Sequence, residues 1–95
     1  MNAPLISIYP GEDILANRVR QCIPASVRER LLPASDEQLV HRMRNALRVT
    51  ALTVKNAHVW LRVFVHEHSD EFDSTEKQLF QNRVRTHFTP DGVGA

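Results

Sequence analysis

Residues 54–68 read VKNAHVWLRVFVHEH. Wound as a helix they make this chain all-α; paired as a strand they make it α+β. Val59, Leu61, Val63 and Val65 alternate with His58, Trp60, Arg62, Phe64 and His66. That is a period of two, with one apolar face and one aromatic-basic face. Val49–Val54 is also rich in β-branched residues. With Lys55-Asn56 as a two-residue turn, the two runs make a β-hairpin over 49–65, because asparagine tolerates positive φ.

A helical spacing runs through the same residues. Val40, Leu47, Val54 and Leu61 recur every seven positions, and Met43, Thr50, Ala57 and Phe64 follow three later. That is an a/d pattern over four heptads. His41, Arg48, Lys55 and Arg62 lie one position after the first series and add a basic stripe. Three observations favour helix. The turn lacks the Asn-Gly or Asp-Gly that tight hairpins use. The apolar stripe starting at Leu39 would have to turn into a strand near Arg48 with no loop. The seven-residue spacing persists through both supposed strands. β-branched residues cost only a few tenths of a kcal/mol each in a helix, so propensity does not veto it. A helix of about 33 residues is ~50 Å long, so it kinks near Thr50–Thr53 or projects and pairs with a second copy.

Outward from that segment, proline and glycine sit at the chain ends. Between Pro33 and Pro90 there is neither, which favours helix, since strand-rich chains turn every 8–12 residues. Ser35-Asp-Glu-Gln38 matches a capping box, and Asp73-Ser-Thr-Glu76 makes a similar start signal. The last helix is expected over about 74–87, with Leu79, Phe80, Val84 and Phe88 inward. Glu12–Ile23 reads as a helix with an acidic first turn and an apolar stripe of Ile14, Leu15, Val19, Cys22 and Ile23, stopped by Pro24. Ala25–Leu32 is a short second helix with Val27, Leu31 and Leu32 inward. Residues 1–11 are expected as an extended arm and 89–95 as a flexible tail.

The 95 residues suit a single domain. At 42% hydrophobic and 24% charged the chain is of ordinary globular composition, and a net charge of +1 gives no overall pull toward nucleic acid or membrane. The charge is uneven: nine of the twelve basic residues fall within residues 14–62, against three of eleven acidic ones. Arginine outnumbers lysine ten to two. The one cysteine, Cys22, allows no internal disulfide, which fits a reducing compartment. The start, MNAPLISIYPGED, has neither the basic flank nor the apolar core of a signal peptide, and no run approaches the ~18 apolar residues that span a bilayer. A cytoplasmic protein is expected.

Candidate chemistry is sparse. His66, His68 and Asp70 form a weak metal candidate, since two imidazoles and a carboxylate can hold zinc. A solvated helix end explains them as well, because histidines suit the negative end of the dipole. Cys22 lies on an apolar stripe and reads as core rather than nucleophile. There is no glycine-rich phosphate loop and no G-x-S-x-G elbow, so no enzyme and no cofactor are expected.

The expected fold is therefore a small all-α bundle of about four helices with a long central helix, kinked or straight; the alternative is α+β with the 49–65 hairpin. The expected function is non-enzymatic protein binding, as a regulator, adaptor or inhibitor. The contact is an apolar helix surface of Val40, Leu47, Val54, Trp60, Leu61 and Phe64, with another protein as partner and a homodimer as the expected state. The alternative is a small nucleic-acid-binding regulator using Arg42, Arg44, Arg48, Lys55 and Arg62.

Overall fold

The structure, a computed structural model, describes residues 8–88. Residues 1–7 of the expected arm and the 89–95 tail lie outside the described residues. The chain forms five α-helices: α1 (Glu12–Cys22), α2 (Ala25–Leu31), α3 (Asp36–Leu47), α4 (Val54–Glu67) and α5 (Ser74–Phe88). A 3-10 turn over Ser69–Glu71 joins the last two. There is no strand among the described residues, so 49–65 is not a hairpin and the fold is all-α.

Both start signals fall at helix starts, the first through its serine cap and the second as a full box. Ser35 Oγ accepts the Gln38 N–H at 3.3 Å and starts α3. Asp73 and Glu76 form a reciprocal box: Asp73 Oδ1 accepts the Glu76 N–H at 2.8 Å, and Glu76 Oε1 accepts the Asp73 N–H at 2.9 Å. Glu76 also accepts from Ser26 Oγ at 2.7 Å, tying the start of α5 to α2.

The long central helix is not continuous: where its length calls for a kink, near Thr50–Thr53, a loop over Arg48–Thr53 splits it into α3 and α4. Arg48 takes the left-handed conformation (φ 58°, ψ 48°), and the N–H groups of Arg48 and Val49 bond the carbonyls of Asn45 and Arg44. That is a Schellman ending with arginine in the place glycine usually takes. Thr53 then starts α4, its hydroxyl accepting the Asn56 N–H at 3.1 Å. The heptad spacing spans two helices that each bury their own face. Val40 and Met43 are buried in α3, and Ala57, Leu61 and Phe64 in α4. Thr50 and Val54, at the joint, are exposed.

The central helix is instead α1, which packs against α3, α4 and α5. Ala16, Val19 and Cys22 on its inner face are fully buried. Small side chains let three neighbours approach one short helix. Of its expected stripe only Ile14 points out, 57% exposed. Phe72 tucks under α5, edge-on to Phe80 at 6.2 Å. One apolar cluster joins all five helices. The molecule measures 46 × 33 × 19 Å, so it is about two helices thick and each outer helix keeps an uncovered face.

Candidate functional site

Among the described residues, α4 carries three of the five exposed large hydrophobic side chains. Ala57, Trp60, Leu61 and Phe64 fall on its inner face, while Val59 and Val63, one turn apart on the outer face, are 46% and 48% exposed. Val54, at its first turn, is 47% exposed. Beside this ridge runs a groove of about 470 Å³, lined by Leu31 from α2, Arg42, Ala46 and Leu47 from α3, and Trp60, Val63, Phe64, Glu67 and His68 from α4 and its cap. Three rings at four-residue spacing follow one another along it, the first pair stacked and the second tilted. Trp60 and Phe64 lie 4.9 Å apart at 19°, and Phe64 and His68 lie 4.6 Å apart at 45°. Val63 belongs to both the ridge and the groove.

The six residues expected at a partner surface divide. Val40 and Leu61 are fully buried and present nothing outward. The expected contact surface includes both, but the packing of α3 and α4 around α1 covers them. Trp60 and Phe64 are also core residues, with only an edge turned to the groove. Leu47 is partly buried on the groove wall, and Val54 stands apart at the loop. Thus Leu47, Trp60 and Phe64 come together. Val59 and Val63, which the sequence sets on the apolar face of the hairpin alternative and outside the a/d series, complete the patch.

The arginines do not form one surface. Arg44 is turned inward to Glu12, which is 2% exposed, and its guanidinium lies 5.1 Å from the Tyr9 ring centre. Glu12 Oε1 accepts from Arg44 and from the Tyr9 N–H (2.7 Å); Oε2 accepts from Arg44 Nε (3.3 Å) and the Leu52 N–H (2.7 Å). Burial alone pushes this carboxyl up, but those hydrogen bonds and the Arg44 charge outweigh it and leave it below the ordinary range. Arg44 is thus engaged in an internal ion pair with Glu12. Arg20 pairs with Asp36 at 2.9 Å and Arg30 with Glu71 at 3.1 Å. Arg42, Arg48, Lys55 and Arg62 remain exposed. Arg42 donates to the Leu31 carbonyl at 3.3 Å across the groove wall.

His66, His68 and Asp70 do not assemble a metal site. His68 packs on Phe64, His66 faces a different cleft between α4 and α5, and Asp70 lies in the 3-10 turn. Among the described residues no three His, Cys, Asp or Glu side chains are grouped to hold an ion. Cys22 is fully buried, and burial pushes its thiol up to about 12, against a small opposing pull from Arg83. Such a thiol is core filling. His58 stacks on Phe88 at 5.4 Å with its Nε2 buried and unpaired, and burial followed by the Arg62 charge holds its imidazole below the ordinary value. No helix of the described residues is long and apolar enough to cross a membrane.

Comparison with protein families, with curated proteins and with solved structures finds no match, so the site stands on this chain's own geometry.

Proposed function

We propose that this chain is a non-enzymatic protein-binding module, a regulator, adaptor or inhibitor of the cytoplasm, that pairs with a second copy through the outer face of α4. The observation that carries this reading is the exposed Val59–Val63 ridge beside the groove of Leu47, Trp60 and Phe64. A ridge and a groove side by side are what a twofold contact needs, because the same patch must complement itself. A twofold axis near Val63 sets each ridge into the other copy's groove, as one helix packs on another. The groove's polar rim of Arg42, Glu67 and His68 suits the edge of such a contact.

The test is light scattering coupled to size exclusion across a range of protein concentrations. A dimer is expected for the parent and a monomer of unchanged circular dichroism for Val59→Glu with Val63→Glu. A parent that stays monomeric at the highest concentration ends the homodimer reading. The nucleic-acid alternative retains Arg42, Arg48, Lys55 and Arg62, all exposed. Phosphate-backbone binding weakens steeply with salt, whereas pairing through valines does not, so a salt series separates the two.

A further inference from the structure

α4 and α5 both lean on α1 and make little direct contact with each other. Between them opens a cleft of about 540 Å³, lined by Arg62, Val65 and His66 from α4 and Phe80, Gln81, Val84 and Arg85 from α5. Its charge is one-sided. None of its lining residues is acidic. The acids of the two helices are engaged or turned away: Glu67 lines the groove on the other side of α4, and Glu76 is held by Ser26 and the Asp73 N–H. Three other arginines of the molecule, Arg20, Arg30 and Arg44, have found carboxylates. Arg62 and Arg85, both exposed, are in no ion pair among the described residues.

We propose that this cleft binds a small phosphomonoester, with Arg62 and Arg85 holding the phosphate from opposite walls. A guanidinium presents paired N–H donors in a fork that matches phosphate oxygens, and two forks balance the double charge of a monoester. Gln81 and His66 add further hydrogen-bonding groups at the same rim. The volume exceeds what phosphate alone fills and falls in the range of small-molecule sites. Val65, Phe80 and Val84 supply the apolar floor for the ester group. Arg42 and Arg48 lie outside the cleft, so a polymer chain would find two arginines here and no continuing track.

The experiment is an amide NMR titration of the full chain at low ionic strength, with inorganic phosphate and with phenyl phosphate. Shifts are expected at residues 62–66 and 80–85, with phenyl phosphate binding several-fold more tightly because of the apolar floor. Arg62→Gln with Arg85→Gln should weaken both by about tenfold or more, the loss of charge-assisted bonds. Both side chains are exposed, so the pair of substitutions should leave the amide spectrum otherwise intact. Arg18→Gln with Arg48→Gln should change nothing. No saturable shift with either probe, shifts spread equally over all exposed arginines, or unchanged binding by the 62/85 variant would each overturn the proposal. So would a twelve-residue oligothymidine that binds more tightly than phenyl phosphate and is released by Arg42→Gln with Arg48→Gln.

Discussion

Glu12 is the residue on which the α3–α4 joint depends. Its carboxylate holds Tyr9 before α1, Arg44 in the last turn of α3 and Leu52 in the following loop. Removing one partner of a buried, hydrogen-bonded pair leaves an uncompensated charge. Glu12→Gln should therefore cost about 3–5 kcal/mol in urea unfolding. The same group gives a pH dependence of known sign. Its folded-state pKa lies below the unfolded one, so its contribution is present above about pH 4.3 and is lost as pH falls through the folded value. The parent should lose stability over that acid window, and Glu12→Gln should show a flatter profile there. His58 acts in the same direction at higher pH. Its imidazole is held neutral by burial, so stability should begin to fall as pH drops below about 6.5. Cys22 should resist a disulfide reagent such as dithionitrobenzoate in the native protein and react at once in denaturant, because its thiol is buried and pushed up to about 12. Fast native labelling would place the thiol elsewhere than the core.

At the scale of elements, the joint between α3 and α4 shows how a helix can end without proline or glycine. Arg48 adopts the left-handed conformation at a cost of about 1 kcal/mol for a residue with a Cβ. Arg48→Gly should recover about that amount, read as a higher urea midpoint, since glycine takes the same φ freely. Thr53→Ala should lose about 1 kcal/mol, because α4 loses its N-terminal cap. Both effects vanish if 36–67 is one continuous helix in solution. The stretch is free of breakers, yet a signal for a joint is present in Thr53-Val-Lys-Asn56, a cap near the middle of the supposed rod. The length of the segment calls for a kink there, but the unbroken periodicity conceals that the kink is a full loop. Two helices separated by a six-residue loop keep a seven-residue rhythm when each supplies its own apolar face. Ser35 and Asp73 were readable because each cap follows a visible chain punctuation or acidic loop, whereas Thr53 sits among valines.

For the whole molecule, a thin two-layer packing around a short central helix decides which apolar residues are core and which are surface. Leu61→Ala and Met43→Ala, both in fully buried positions, should each cost about 2–5 kcal/mol, whereas Val63→Ala should cost little in the monomer and weaken pairing. A thermal melt followed by light scattering separates these two effects. Local information carried the sequence reading far: caps, the proline stop after α1 and the 3.6-residue stripes of α1, α2 and α5 are set by residues within one or two turns of each other. That information favours an all-α chain but leaves the 49–65 hairpin open; the packed structure, with α4 over Val54–Glu67, decides it. The central role of α1, the inward turn of Arg44 and the two clefts flanking α4 were not legible. Each depends on residues distant along the chain, such as Glu12 with Arg44 and Leu52, or the residues of α4 and α5 that line one cleft. Sequence spacing records which face of a helix is apolar, but only the packed helices determine which face is covered, because burial belongs to the neighbours and not to the residue.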